Sequence, residues 1–238
     1  MTTPTPIRLL VHGASGRMGS ALLRLAAGDP RFAIAAAVSR SGGSIDGVLV
    51  LASGRIATAP EFDVMVDFSL PAAFDAALEL CMERGCAFVS GTTGLSQAQR
   101  NALDAAAATV PCVWEANFSV GIAVLGDLVR RAAAALRSWD CDIVETHHTH
   151  KRDAPSGTAL ALGQTIASAH GTEPHYASLR AGDVVGEHMV QFTGGGERIE
   201  LIHRATDRGI FARGALEAAA RIAGQPPGRH EFVELLLH

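Results

Sequence analysis

The sequence predicts an α/β fold in two parts. The first is a mostly parallel sheet covered by helices on both faces; the second is an α+β part with an antiparallel or mixed sheet. Three observations predict this. Apolar runs of strand length, without polar alternation, recur between helical stretches in the first half, as strands buried on both faces do. Hydrophobic residues make up 48% of the chain but aromatics only 5%, so small residues must pack helix against sheet. After residue 179, strand signals follow one another with no helix between them.

In chain order, Ile7 to Val11 is an apolar run ending in glycine. Arg17 to Ala27 carries Met18, Ala21, Leu22 and Leu25 at helical spacing and stops at Gly28-Asp29-Pro30. Phe32 to Val38 and Val64 to Phe68 are further strands, and Pro71 to Glu83 is a helix with proline in its first turn. Ala87 to Ser90 is a strand, Gln97 to Ala108 a helix, and Pro111 to Trp114 a short strand. Val120 to Leu136 reads as one long helix, Cys141 to Thr146 as a strand and Thr158 to Ala169 as a helix. Gly182 to Val185, Glu187 to Phe192 and Arg198 to His203 read as strands, with Gly194-Gly195-Gly196 as a hairpin turn. Phe211 to Ile222 is helical, and Gly224 to Gly228 is a turn-rich break.

Composition excludes several classes. A net charge of −4 lacks the basic footprint of a nucleic-acid binder, and no apolar run reaches the length of a membrane span. Met1 to Pro6 shows no basic region followed by an apolar stretch, so a secretory leader is not expected and a cytoplasmic protein is. Cys81, Cys86, Cys112 and Cys141 have no C-x-x-C spacing and read as buried, reduced thiols.

The segment Gly13-Ala14-Ser15-Gly16-Arg17-Met18-Gly19 follows the first strand and opens the first helix. Glycines so placed allow a tight turn, close backbone approach to a pyrophosphate and close helix–strand packing. The helix N-terminus offers amides and positive dipole to the anion. The alternative is a glycine-rich turn with no ligand. The second strand ends at Ser39 and Arg40, where an NAD-specific fold places a carboxylate. With no acid to repel a 2′-phosphate, and with Arg40 able to pair with one, NADPH is the expected cofactor and NADH the alternative. Arg40 as a plain solvated loop cation is the other reading.

His147, His148, His150 and Lys151 crowd together just after an apolar strand. A histidine titrates near neutrality and can supply a proton. Pro155 and Ser156 precede a helix whose first amides, including those of Gly157 and Thr158, are free of intrahelical partners and would face an anion. A cation and a helix start a few residues apart make a carboxylate site. The competing reading is that Ser156 or Asp153 merely caps this helix and the histidines are surface loop residues. Metal binding is disfavoured: there is no H-E-x-x-H and no cysteine at ligand spacing, although His148 and His150 lie two apart. Arg180, Glu187 and His188 read as buried polar residues of the second sheet, and Glu200 and His203 as structural strand residues.

Several of these stretches together resemble the dihydrodipicolinate reductase family. They are Gly13–Gly19, Val66-Asp67-Phe68-Ser69, Gly91-Thr92-Thr93-Gly94, Ala116-Asn117-Phe118-Ser119-Val120-Gly121, the run from Glu145 through His147-His148-Thr149-His150-Lys151 to Thr158, and Arg180 to His188. They occur in the family's order and span most of the chain; the histidine-rich run is the most specific.

The resemblance implies a Rossmann-like, parallel-sheet cofactor domain, residues 1–118 and 208–238. It also implies a substrate-binding and tetramerisation domain with a mixed sheet, residues 119–207. It further implies NAD(P)H-dependent reduction of 4-hydroxy-tetrahydrodipicolinate in the diaminopimelate route to lysine. His147 would be the general acid, Lys151 a second proton donor and substrate contact, and His148, Gly157 and Thr158 substrate-binding. Gly13, Ala14, Ser15, Gly16, Arg17, Met18, Ser39, Arg40, Phe68, Gly91, Thr92, Thr93, Ala116, Asn117 and Phe118 would hold the cofactor, and the assembly would be a homotetramer.

Two departures stand out: Ser39 replaces the acid of NADH-tolerant relatives, and residues 170–177 are shorter than in longer members. The rivals are another two-domain dehydrogenase of the aspartate or homoserine type and a non-catalytic nucleotide sensor.

Overall fold

The structure, a computed structural model, describes residues 5–237. Residues 1–4, within the stretch read for a leader, and residue 238 lie outside the described residues. The chain divides into two compact units, Met1–Phe118 with Phe211–His238, and Ser119–Ile210.

The first unit opens with β1 (Ile7–His12), α1 (Arg17–Ala27) and β2 (Phe32–Ser39). A small antiparallel pair follows, β3 (Gly43–Ile45) and β4 (Val48–Ala52), then a 3-10 segment, Ser53–Thr58. The alternation resumes with β5 (Val64–Asp67), α2 (Pro71–Arg84), β6 (Ala87–Ser90), α3 (Gln97–Ala106) and β7 (Pro111–Trp114). The second unit holds α4 (Val120–Ala135), β8 (Asp140–His147), α5 (Gly157–His170), β9 (His175–Arg180), β10 (Gly186–Gly194) and β11 (Glu197–Ala205). The chain then forms α6 (Gly209–Ile222), β12 (Gly228–Arg229) and α7 (Phe232–Leu237).

The first sheet runs β12-β7-β6-β5-β1-β2-β4-β3, parallel throughout except for β3 against β4. Its order reverses between β5 and β1, the switch point at which α/β sheets open a crevice beyond the strand ends. The central strands have almost no exposed surface: Leu9, Leu10, Val11, Val64, Met65, Val66, Phe88 and Val89 are fully buried. Proline at the first position starts α2, and Gly85 ends it at φ 64°, a conformation that costs glycine little. Phe74 of α2 meets Phe88 of β6 edge-on at 5.5 Å. Burying each such ring contributes roughly 1.5–3 kcal/mol, and Phe88→Ala would cost about 3–5 kcal/mol.

The second sheet is mixed, in the order β11-β10-β8-β9. Strand β8 is antiparallel to β10 and parallel to β9, with α5 as the crossover. Alternation along β8 sends Cys141, Ile143, Glu145 and His147 to the buried face. The first two join Val190, Phe192 and residues of α4 and α5 in a single core.

Two expectations need correction, and one strand of this sheet was not expected. Gly182 to Val185 is a turn, not a strand: Gly182 takes φ 48° and Val184 N–H donates to the Ala181 carbonyl at 3.3 Å. The strand lies earlier, at His175–Arg180, a largely exposed edge whose polar residues hide its period. Glu187 is not a buried residue of the sheet; it is half-exposed on the opposite face, near Arg204 at 3.4 Å.

All four cysteines are buried and unpaired, and burial pushes the Cys112 thiol up to about 11 and that of Cys141 to about 12. Among the described residues, no helix is long and apolar enough to cross a membrane.

Candidate active site

In the first unit the cofactor residues named from sequence gather at the carboxyl ends of β1, β2, β5, β6 and β7. Gly13 sits at φ 82°, and a Cβ there would lie 2.3 Å from the Phe68 carbonyl oxygen. A Cβ on Gly19 would lie 2.2 Å from the Gly13 carbonyl, so this glycine lets α1 press against the loop. Ser15, Gly16 and Arg17 are exposed, Ala14 is buried and Met18 half-buried. Gly16 occupies the N-cap of α1 and no side chain caps that end. Ser39 is buried at the tip of β2, while Arg40 is exposed beyond it.

The β5 and β6 tips are tied by one carboxylate. Ser90 Oγ and Thr92 Oγ1 donate to Asp67 Oδ2 at 2.8 and 2.7 Å, and Ser69 N–H donates to Oδ1 at 3.1 Å. His12 Nδ1, at the tip of β1, lies 2.9 Å from the same Oδ1. Burial alone would raise the Asp67 pKa, but His12, Ser69 and Thr92 outweigh it and hold the group below the ordinary carboxylate range. The Phe68 ring fills the space beside Gly91, where a Cβ would lie 2.1 Å from the ring, and packs on Phe118 at 5.8 Å. Thr93 and Ala116 are exposed and Asn117 is half-buried on this rim.

In the second unit, β8 ends at His147 and the chain turns at once, Lys151 N–H donating to the His148 carbonyl at 3.1 Å. The turn is anchored by Ala181 N–H to the His147 carbonyl, 2.8 Å, and Thr149 N–H to the Gly182 carbonyl, 3.1 Å. His147 is 8% exposed, and its Nδ1 makes a short hydrogen bond to Glu145 Oε2. Arg180, directly across from His147 on β9, grips both oxygens of Glu145 at 3.0 and 2.9 Å. Burial works against the Glu145 charge, yet hydrogen bonds from Arg180, Ser178 and His147 pull its pKa down to about 2.

His188 faces Glu145 across the sheet, and its ring lies 5.2 Å from that of His147. Burial, then the neighbouring His147, pushes His188 down to about 4. Its Nε2 is 3.1 Å from Ser156 Oγ, which also accepts from Ala159 N–H as the N-cap of α5. Lys151 Nζ pairs with Asp153 Oδ2 at 2.9 Å, and Asp153 also accepts from the Gly157 backbone. Thus Lys151 and the α5 start already converge on one carboxylate. His148 is half-buried with its pKa lowered, by desolvation first and then by Arg208 and His150, whereas His150 is exposed.

The sequence profile described as "Dihydrodipicolinate reductase, N-terminus" matches residues 7–118, and "Dihydrodipicolinate reductase, C-terminus" matches 121–236. A 4-hydroxy-tetrahydrodipicolinate reductase of Stenotrophomonas maltophilia is 63% identical over 236 residues, 98% of each chain. The chain belongs to the dihydrodipicolinate reductase family. Its membership makes it an oxidoreductase of diaminopimelate and lysine biosynthesis that uses a nicotinamide cofactor.

A second reductase of the family, from Xanthomonas campestris, is 58% identical over 238 residues, 99% of this chain and all of the relative. The fold agrees: dipicolinate-bound dihydrodipicolinate reductase from Paenisporosarcina superposes with a TM-score of 0.84 at 21% identity, covering 95% of this chain and 98% of that one. A diaminopimelate dehydrogenase of Corynebacterium glutamicum gives 0.62 at 14% identity, covering 97% and 94%.

Within this reductase fold, sequence reasoning passed over Glu145, His12 and the link between Ser156 and His188. The signal for Glu145 was present: it is a carboxylate at a core position of β8, in phase with Cys141, Ile143 and His147.

Proposed function

We propose that the chain reduces 4-hydroxy-tetrahydrodipicolinate to tetrahydrodipicolinate, with the first unit holding NADPH and the second the substrate. NADH is the alternative carrier. One observation carries the reading: buried His147, hydrogen-bonded to a carboxylate, opens the same loop that brings Lys151 to the start of α5. The glycine cradle fits a dinucleotide, since Gly13 and Gly19 let the backbone close into a tight loop that any side chain there would strike, and the α1 amides have no side-chain cap.

When bound, the nicotinamide supplies a hydride to a ring carbon. Loss of the ring hydroxyl as water gives a conjugated imine, and a hydride plus a proton completes the product. His147 supplies that proton, with Lys151 as a second donor and charge partner. His148, Lys151 and the Gly157 and Thr158 backbone hold the substrate's carboxylates. Arg40, with no acid beside it at Ser39, favours the 2′-phosphate of NADPH. The homotetramer belongs to the same reading. The face of the second sheet turned away from its helices carries Val144, Met189 and exposed Ile202 and Leu179, a surface suited to a second copy.

The test is NADPH oxidation, followed at the nicotinamide absorbance band, with substrate freshly generated by the preceding enzyme of the route. His147→Gln and Lys151→Ala should each lower turnover by about 10²-fold or more while NADPH binding persists. Near-normal turnover in both would overturn the assignment, as would a clear preference for NADH the cofactor assignment.

A further inference from the structure

The polar cluster behind His147 has no assigned task beyond holding the sheet. We propose that Glu145, set by Arg180, is the positioning residue of His147, holding its ring so that Nε2 is the atom that gives up the proton. This rests on the acid role given to His147 above.

Glu145 is 1% exposed, so its charge is kept for a purpose served by its partners. Arg180 occupies both oxygens and, being a planar two-pronged donor, fixes the carboxylate plane. An ionised carboxylate only accepts hydrogen bonds, so His147 Nδ1 must carry a hydrogen toward it. The other nitrogen, Nε2, is left to exchange the reacting proton. Space is kept at that end: a Cβ on Gly186 would lie 3.0 Å from His147 Nε2, so a larger residue would crowd it.

Arg180 serves a second element as well, because its Nη2 donates to the Asp153 carbonyl at 2.5 Å. One guanidinium therefore joins the carboxylate behind His147 to the loop that carries Lys151. His188 does not compete for Glu145; its Nε2 is engaged with Ser156, and its Nδ1 finds no partner among the described residues. Glu145, Arg180, His188 and the adjacent His148 surround His147, and Glu145 is hydrogen-bonded to its Nδ1.

The experiment compares Glu145→Gln, His147→Gln and the double variant in NADPH oxidation. Glutamine keeps the volume but removes the charge that dictates which nitrogen is protonated. Glu145→Gln should lower kcat about 10²-fold, with KM and NADPH affinity within about threefold of the parent. In the His147→Gln background the same change should alter kcat less than about threefold, because a residue acting through His147 has nothing left to position. The nitrogen NMR signature of His147 should lose its Nδ1-protonated form in Glu145→Gln.

If Glu145→Gln proves too unstable to assay, Arg180→Lys replaces it, with about a tenfold loss and the same silence in the His147→Gln background. Equal losses in both backgrounds, or full turnover of Glu145→Gln beside an inactive His147→Gln, overturn the positioning role alone. Full turnover of His147→Gln itself overturns the functional reading and this inference with it.

Discussion

Replacing two glycines of one loop with alanine separates a packing role from a ligand role. A Cβ at Gly19 would sit 2.2 Å from the Gly13 carbonyl oxygen and 2.6 Å from Ala14 Cα, where ordinary contact begins at 3.4 Å. Both neighbours are backbone, so no rotamer change relieves the clash, and the loop or α1 must move by about 1 Å. Alanine gains about 1 kcal/mol of helix propensity over glycine, but overpacking costs about 1–3 kcal/mol, and a clash with two backbone atoms falls in the upper part of that range, about 2–3 kcal/mol. The net loss, about 1–2 kcal/mol, lowers Tm by roughly 2–8 °C for a chain of this size. At Gly16, φ is −76° and a Cβ would lie 3.2 Å from one oxygen, so Gly16→Ala should leave Tm within about 2 °C. Its methyl nonetheless stands on the exposed side of the cradle, where a pyrophosphate would approach. NADPH affinity should drop about tenfold, equivalent to ~1.4 kcal/mol. Thermal melts without cofactor and calorimetric titration with NADPH read the two effects. Wild-type NADPH affinity in Gly16→Ala would refute the cradle, and an unchanged melt in Gly19→Ala would refute the packing argument.

Four further outcomes follow from the same geometry. Arg40→Ala should weaken NADPH about tenfold and leave NADH unchanged, read as kcat/KM for each cofactor. Asp153→Asn should free Lys151 and the α5 start from their internal carboxylate and tighten dipicolinate binding a few-fold by titration; weaker binding would show that Asp153 only orders the loop. His188 is held near 4 against an ordinary 6.5, so the unfolded chain binds more protons between these values and stability falls as pH drops through that window. His188→Gln should flatten the melting curve there. Glu115 has the opposite sign: burial and then Glu231 raise it from 4.5 to about 7, so its penalty grows as pH rises through that range, and Glu115→Gln should stabilise more at about pH 8 than at about pH 5.

Most of the first unit was legible because buried parallel strands are continuous apolar runs and their helices carry plain stops. Gly28 ends α1 and Pro71 opens α2, for example. The β3–β4 pair was not legible, since Gly43–Ile45 is three residues long and exposed, with no core face to give it a period. Strand β9 failed for a related reason: an edge strand with one row of partners can be built from His175, Ser178 and Arg180 as readily as from valine. Val184 and Val185 misled in the other direction, because β-branched residues look like strand until Gly182 turns the chain. At the candidate site, the cluster His147–Lys151 stands out by residue type alone. Glu145 does not, because its meaning depends on Arg180, which lies 35 positions away and meets it only through the parallel pairing of β8 with β9.

The hydroxyl that starts α5 also limits what could replace it. At an ordinary helix start serine, aspartate and asparagine are near equals. Here Ser156 is asked to accept from Ala159, meet His188 and stand beside the place proposed for an incoming anion. Aspartate would cap the helix as well, yet would bring a second fixed negative charge to the spot proposed for an incoming anion. Asp153 already accepts from the Gly157 backbone, so a neutral cap leaves one internal carboxylate at this helix start rather than two.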